Sequence, residues 1–476
     1  MDFLKDRLKN HFAQPAVKTL VEPETAPIVT SNIPKPRVNP PLIVRQTSAG
    51  EQEWMQRVLQ KLLSIADLSL LNELDDKTAR QKIRELSQKI LDEDSAPLAM
   101  AERQHVTRCI EDEILGLGPL ELLLNDASIS DIMVNGFQQI YVERFGKLEL
   151  TTVKFQNEAH LMRIIDRIVS SVGRRVDESV PMVDARLKDG SRINAIVPPL
   201  ALDGSILSIR RAKADHLRTN DLINFRALTP MMAELLSAAV KCRLNIIVSG
   251  GTGSGKTTML NALSSAIPED ERIVTIEDAA ELRLQQTHVV RLETRPPNIE
   301  GKGEVTARDL VRNSLRMRPD RIVIGECRGE EAFDMLQAMN TGHDGSLTTV
   351  HANTPRDAIA RIENLVAMAG LDLPTRAIRS QIASAIHLVV QVSRLEDGKR
   401  KVVSIQEVNG MEGDIITMSE IFTFQRRGLD EFGNVLGRFR ATGTVPKFFE
   451  TVQKRGIGLD LSIFDTHRDE GWEDEK

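Results

Sequence analysis

The stretch "SGGTGSGKTTML", residues 249–260, decides how this chain folds. It contains the pattern G-x-x-x-x-G-K-T as Gly250 through Thr257. The preceding "NIIVS" reads as a buried strand, and the following "TTMLNALSSAI" has the apolar spacing of a helix. In a strand–glycine loop–helix unit, backbone N–H groups turn inward around phosphate oxygens and the helix N-terminus adds its positive dipole end. Gly250, Gly251, Thr252, Gly253, Ser254, Gly255, Lys256, Thr257 and Thr258 are therefore expected to hold a nucleotide. Lys256 would neutralise the β- and γ-phosphates, and Thr257 would bind Mg²⁺ through its hydroxyl. A flexible glycine turn would need neither the lysine nor the threonine.

Working outward, strands are readable at 245–249, 272–276, 322–325 and 346–350, with helices between them. That alternation predicts a parallel sheet covered on both faces. Polar residues at the C-terminal ends of such strands sit where open α/β sheets bind ligands. "VTIEDAAEL", residues 274–282, ends its strand in Glu277 and Asp278. "RIVIGECRGE", residues 321–330, places Gly325 where many nucleotide hydrolases carry a magnesium-holding aspartate, and Glu326 one residue later. Glu326 there can orient or deprotonate an attacking water and touch the metal shell, or it is an ordinary charge where a strand surfaces. "GSLTTVHANTP", residues 345–355, ends its strand at His351, which is either a γ-phosphate hydrogen-bonding group or structural.

Upstream, residues 119–215 read as a second α/β unit. "DIMVNGFQQIYVERFGKLEL" gives strands turning at Asn135-Gly136 and Gly146-Lys147, and "DARLKDGSRINAIVPPL" gives a hairpin turning at Asp189-Gly190. Met162, Ile165, Ile168, Val169 and Val172 share one helical face. Arg186, Arg192, Arg210 and Arg211 lie on the hairpin and the strand "SILSIRRA". Most surface arginines are solvated, but a ring-forming ATPase needs cations from another domain or subunit. Residues 216–225 are expected to be a hinge linker, 226–430 the nucleotide-binding domain, and 431–476 a polar C-terminal tail with apolar patches at Phe448-Phe449 and Ile463-Phe464. Residues 51–118 read as a helical bundle through Trp54, Val58, Leu59, Leu62 and Leu63, then Ile83, Leu86 and Ile90, then Val106, Cys109, Ile110 and Ile114. Residues 1–50 hold Pro15, Pro23, Pro27, Pro34, Pro36, Pro40 and Pro41 and read as a disordered or extended lead segment, whose first ten residues can form a short amphipathic helix through Phe3, Leu4 and Leu8.

The chain has 476 residues, too many for one comfortable core. Its 41% hydrophobic and 27% charged content is that of a soluble globular protein. A net charge of −6 and a pI of about 6.0 argue against a protein that coats nucleic acid. Cys109, Cys242 and Cys327 are far apart, so neither a zinc ribbon nor a disulfide framework is indicated. The N-terminus "MDFLKDRLKN" has no apolar signal core, and no run reaches the length of a membrane span. A reducing cytoplasm is the simplest compartment.

Taken in order, the P-loop, "IEDAAEL", "RPDRIVIGECRG" and "TGHDGSLTTVHANTPRDAIARIENL" resemble the type II/type IV secretion ATPase superfamily. More narrowly, with "DIMVNGFQQIYVER", "DARLKDGSRINAIVPP" and "VLGRFRATGTVPKFFETVQKRGI", the chain resembles the CpaF-type ATPases of Tad (Flp) pilus assembly over roughly residues 100–460. The resemblance implies an α/β fold: a RecA-like P-loop NTPase domain with a smaller N-terminal α/β domain, preceded by a helical bundle and a disordered segment. It implies a homohexameric motor at the cytoplasmic face of the inner membrane, using ATP and Mg²⁺ and acting on pilus platform proteins. By position Glu326 matches the catalytic glutamate, Glu277 the acidic-box glutamate and His351 the histidine-box residue. Arg192 and Arg210 match the phosphate-facing arginines before the hinge, with Arg186 and Arg211 as further candidates. Thr257 and Glu326 are the expected metal contacts. The superfamily characteristically carries glycine at the place of Gly325. The tetracysteine module of general-secretion relatives and the C-terminal motif of retraction ATPases are missing from the sequence. A conjugation-type secretion ATPase shares this chemistry, and a nucleotide-dependent scaffold is the alternative of a different class. A nucleic-acid translocase fits poorly, because the chain lacks a basic, aromatic groove signature.

Overall fold

The computed structural model describes residue 45 and residues 47–65, 75–187, 189–211, 217–297 and 301–466. These residues belong to one compact unit, Asn39–Lys476. The expected disorder and short helix within residues 1–44 lie outside the described residues.

Helices α1 (Ala49–Ile65), α2 (Asp76–Glu93) and α3 (Met100–Ile114) form a small bundle. Its core is Val58, Leu62, Ile83, Ile90, Leu91, Val106 and Ile110. Leu63, expected on the inner face of α1, is instead exposed, because the inward stripe passes through Val58 and Leu62. On α3, burial first and then the neighbouring charge of Glu121 push the Asp112 carboxyl up to about 6, against a partial offset from Arg80 at 3.5 Å. A raised carboxyl contributes stability below its unfolded value and loses it as pH climbs through the folded value. Asp112→Asn should therefore be more stable than the parent by about 2 kcal/mol at roughly pH 7.5, with the gain vanishing near pH 4. Urea midpoints at the two pH values check this; equal gains at both would show that charge at Asp112 is not the cause.

The second layer is a six-stranded antiparallel sheet built from β1 (Ile129–Asn135), β2 (Gln139–Arg144), β3 (Lys147–Leu150), β4 (Met182–Arg186), β5 (Arg192–Ile196) and β6 (Ile206–Arg210). The spatial order is β3-β2-β1-β6-β5-β4. Between Asn135 and Gln139, between Arg144 and Lys147, and between Arg186 and Arg192 the chain reverses where the Asn-Gly, Gly-Lys and Asp-Gly pairs stand. A short α4 (Glu121–Leu124) precedes the sheet, and α5 (Glu158–Ser171) buries Leu161, Ile164, Ile165, Ile168 and Val169 in its core. Met162 and Val172 sit at the margin of that face.

Two helices, α6 (Thr219–Asn224) and α7 (Pro230–Lys241), lead into the third layer. The linker expected at 216–225 is thus helical over most of its described length. The third layer is a nine-stranded sheet: β7 (Ile246–Gly250), β8 (Ile273–Glu277), β9 (Val289–Glu293), β10 (Arg321–Ile324), β11 (Leu347–His351), β12 (Leu388–Arg394), β13 (Arg400–Glu412), β14 (Ile415–Leu429) and β15 (Val435–Ala441). Its order is β15-β14-β13-β12-β7-β11-β10-β8-β9. From β12 to β9 all pairs are parallel, and β13, β14 and β15 add an antiparallel wing. The sheet is therefore mixed, where the sequence predicts parallel strands alone. With β12-β7-β11-β10-β8 at its centre, this is the strand order of a RecA-like domain.

Side chains alternate across the parallel part, as a strand's period of two requires. Ile246 and Val248 enter one core, with α7 and with α8 (Lys256–Ser264). Ile247 enters the other, with α9 (Ala307–Ser314), α10 (Glu331–Asn340), α11 (Pro355–Met368) and α12 (Thr375–Ala385). Burial on both faces explains why these strands read as continuous apolar runs. At the start of β10, the fully buried Arg321 forms a two-pronged ion pair with Glu271 and donates to the Gly345 carbonyl at 3.3 Å.

The boundary expected at residue 430 falls inside the sheet. β15 pairs with β14, and Phe448, Phe449, Ile463 and Phe464 are buried in the same core as the P-loop strand. The last α-helix among the described residues, α13 (Phe449–Lys454), carries part of that packing. Residues 431–466 thus complete the domain where the sequence suggests a tail; residues 467–476 lie outside the described residues. Among the described residues no helix is long and apolar enough to cross a membrane.

Candidate active site

β7 is buried throughout and delivers the chain to the sheet edge at Gly250. A Cβ at Gly250 would lie 2.4 Å from Ser254 Oγ and 2.5 Å from the Val392 carbonyl, so close backbone approach excludes any side chain here. Gly253 (φ 67°) and Gly255 (φ 98°) take the left-handed region, and Gly255 is the N-cap of α8. Lys256 Nζ folds over the loop and donates to the carbonyls of Gly250 and Gly251, each at 3.1 Å. Burial lowers its proton affinity, the nearby Glu326 carboxylate raises it, and Arg328 and Arg210 lower it again. Those causes place Lys256, Glu326, Arg328 and Arg210 within one electrostatic neighbourhood. His351 is the ladder partner of Gly250, so it stands directly beside the P-loop.

The two acids lie on neighbouring strands. Ile276 pairs with Ile324, and the Gly325 N–H donates to the Ile276 carbonyl at 2.8 Å. This register lays the Glu277 side chain across Gly325: a Cβ at Gly325 would lie 2.8 Å from Glu277 Cγ. The place of the missing aspartate is occupied by the glutamate of the adjacent strand. Glu277 is 5% exposed. One carboxylate oxygen accepts from the N–H groups of Glu281 and Leu282, each at 2.8 Å; the other is buried and has no hydrogen-bond partner among the described residues. Burial raises its proton affinity, against those two N–H donors. Such an unmatched buried oxygen is costly in itself and is a natural contact for a proton or cation.

Glu326 is set by its backbone. Thr349 Oγ1 donates to the Gly325 carbonyl, and the Cys327 N–H donates to the Thr349 carbonyl, each at 2.8 Å, so β11 holds the chain on both sides of Glu326. The Glu326 carboxylate accepts from Arg328 Nη2 at 2.6 Å, and Arg328 also reaches Asp278 at 3.4 Å. Arg328 and Thr349 are functional candidates that sequence reasoning missed. Arg328 had a legible signal, two residues after the glutamate; the bond from Thr349 depends on strand register and had none.

The arginines of the N-terminal sheet divide between this edge and their own layer. Arg186 donates to Glu293 at 2.7 Å and to the Ala280 carbonyl at 2.8 Å. Arg192 pairs with Glu281 at 3.1 Å and donates to the Ala279 carbonyl at 3.1 Å. Both therefore grip the loop that follows Glu277. Arg210 pairs with Asp131 at 3.0 Å inside its own sheet while its charge acts on Lys256. Arg211 donates to the carbonyls of Asp126 and Ile129, an anchoring position within its own layer.

The family described as "Type II/IV secretion system protein" matches residues 113–435. A Mycobacterium tuberculosis (strain ATCC 25618 / H37Rv) protein whose name refers to conjugal transfer is 40% identical over 314 residues, spanning 65% of this chain and 89% of its own length. The type IV secretion system protein VirB11 of Bartonella henselae is 33% identical over 328 residues, covering 61% of this chain and 91% of VirB11. The crystal structure of the VirB11 ATPase from the Brucella suis type IV secretion system, in complex with sulphate, aligns at 30% identity with a TM-score of 0.33, covering 61% of this chain and 95% of that one.

Proposed function

The chain belongs to the type II/IV secretion system protein family, and we propose that it is a cytoplasmic homohexameric motor that powers assembly of a Tad-type type IV pilus through an inner-membrane platform. Its activity is ATP hydrolysis. The observation that carries the reading is the convergence of Lys256, Glu326 and the buried Glu277 at one sheet edge, with arginines of a second sheet gripping the adjoining loop.

In this reading ATP lies in the loop from Gly250 to Thr257, and Thr258 continues the helix N-terminus beneath its phosphates. Lys256 exchanges its two carbonyl acceptors for phosphate oxygens, which are stronger partners because they are charged. Water attacks the γ-phosphorus, the bond to the β-γ bridging oxygen breaks, and ADP leaves with its electron pair. Glu326 takes the proton from the water, which requires it to part from Arg328. The freed guanidinium then faces the charge of the transferring phosphoryl group. His351, the ladder partner of Gly250, would hydrogen-bond the γ-phosphate in this reading.

A magnesium ion fits these donors. The Thr257 hydroxyl and the Glu326 carboxylate would hold it as hard oxygen ligands, and Glu277 adds a buried carboxylate oxygen without a hydrogen-bond partner among the described residues. When bound, the ion supplies charge neutralisation along the β- and γ-phosphates.

Motion follows from the arginines. Arg186 and Arg192 hold the loop whose N–H groups bind Glu277, so a swing of the N-terminal sheet displaces that loop together with the acid it orients. Closure and opening of this cleft on ATP binding and hydrolysis would be the stroke passed to the platform. Arg210 is the further cation offered to the phosphates, within a subunit or across to its neighbour.

A conjugation-type secretion ATPase is the second reading, favoured by the conjugal-transfer and type IV secretion names of the relatives. Replacing the chromosomal gene with Lys256→Ala separates the two. Loss of surface pili together with phosphate release supports the pilus motor. Intact pili with lost DNA transfer would give the chain to conjugation, and unchanged phosphate release would remove the P-loop assignment. Light scattering of the wild type with and without ATP tests the hexamer.

A further inference from the structure

A pair of arginines outside these motifs stands over the P-loop. Arg394 ends β12 and Arg400 begins β13, and the two are directly opposed across the hairpin. β12 runs parallel beside β7 with Val392 level with Gly250, which carries the hairpin past the loop mouth. Arg400 Nε donates to the Gly253 carbonyl at 2.8 Å, and its Cδ would lie 3.3 Å from a Cβ at Gly255. The Arg394 guanidinium lies 3.4 Å from the Cβ position of Gly253 and donates to the Gly146 carbonyl in the turn between β2 and β3. It also pairs with Glu143 of β2 at 3.7 Å.

Two guanidinium groups so close repel each other, and both are partly buried. Burial, and then the Arg394 charge, hold Arg400 below its usual affinity for a proton, with Glu143 and Asp131 only partly offsetting. Arg400 makes no ion pair among the described residues, and the bond from Nε is its one hydrogen bond there. If these arginines served only to tie turns together, one guanidinium and one carbonyl would suffice. An unmatched second cation beside a phosphate-binding loop fits an anion that arrives and leaves.

We propose that Arg394 and Arg400 form a nucleotide-dependent clasp: Arg400 binds the phosphate chain of a nucleoside triphosphate held in the P-loop of its own subunit, and Arg394 ties that loop to the β2–β3 turn. The clasp rests on the reading of residues 250–257 as an ATP site. It makes Arg400 a binding residue and Arg394 a positioning residue. The turns themselves meet, since a Cβ at Gly398 would lie 3.9 Å from the carbonyls of both Phe145 and Gly146. Phosphate drawn to Arg400 thereby acts on a hairpin already joined to the N-terminal sheet.

The test uses the full-length chain and a fluorescent ATP analogue, with phosphate release measured in parallel. Arg400→Ala should weaken ATP binding about tenfold to a hundredfold, the range of a charge-assisted bond, and Arg400→Lys should restore part of it. Arg394→Ala should leave ATP affinity within about threefold and lower kcat about tenfold, because it loosens the joint and not the pocket. Thermal melts guard against misfolding, and Arg400→Lys remains informative if Arg400→Ala does not fold. Wild-type affinity in Arg400→Ala, or no rescue by lysine, overturns the clasp while Lys256→Ala still abolishes hydrolysis. An Arg394→Ala chain with unchanged kcat overturns the tie to the N-terminal sheet. A wild-type chain that binds no ATP overturns the clasp and the ATP site together.

Discussion

Glu326→Gln should bind ATP almost as the wild type does and hydrolyse it at least about a hundredfold more slowly. The amide keeps the size and one acceptor oxygen of the carboxylate, so the backbone held by Thr349 need not move. It has no proton affinity near neutrality and so does not take the proton of the attacking water; removing a general base costs about 10²–10⁴ in rate. The amide also gives up the ion pair with Arg328, which frees that guanidinium for phosphate. Nucleotide affinity should therefore hold or rise slightly while kcat falls. Equilibrium binding and single-turnover hydrolysis separate the two effects. Normal turnover in the glutamine variant would end the assignment of Glu326 as the base.

Gly325→Asp is expected to be damaging, although it would create the acid that many nucleotide hydrolases carry at this place. The backbone is pinned from both sides, by Ile276 through the Gly325 N–H and by Thr349 through its carbonyl. A new Cβ would meet Glu277 Cγ at 2.8 Å, and the new carboxylate would share a buried site with one whose proton affinity is already raised. Overpacking alone costs about 1–3 kcal/mol, and a second carboxylate adds to that by like-charge repulsion. A loss of about 3 kcal/mol or more in urea unfolding is expected for Gly325→Asp, and a smaller one for Gly325→Ala. The double variant Gly325→Asp/Glu277→Gly should recover much of the stability, since it removes the obstruction. No recovery would mean that Glu277 is not what excludes a side chain from position 325.

Much of the candidate site is legible in the sequence because its parts are local. The P-loop, the acids at 277 and 326 and the histidine at 351 each end an apolar strand or follow it within two residues, and parallel strands must deliver such residues to a common edge. The hairpin turns of the second sheet are legible for the same reason, through Asn-Gly and Asp-Gly pairs. β12 through β15 are harder. β14 is mostly half-buried along its length, so its residues alternate weakly and read as a polar, irregular run. Phe448, Phe449, Ile463 and Phe464 look like isolated patches until the chain returns them to a core formed 200 residues earlier in part by β7. The four arginines expected at the phosphates also divide only in three dimensions. Arg186 and Arg192 grip the acidic loop, Arg210 reaches Lys256 through its field, and Arg211 is held by its own sheet.

By itself the sequence determined the phosphate loop, the strand–helix alternation around it and the acids at the strand ends, because periodicity and motif spacing act over a few residues. The register between strands belongs to the tertiary structure. Only that register shows Glu277 lying over Gly325, Thr349 bracketing Glu326, and Arg394 and Arg400 meeting over the P-loop from a hairpin more than a hundred residues away. A backbone hydrogen-bond ladder fixes which side chains from distant segments share a few ångströms, and no local pattern records that choice.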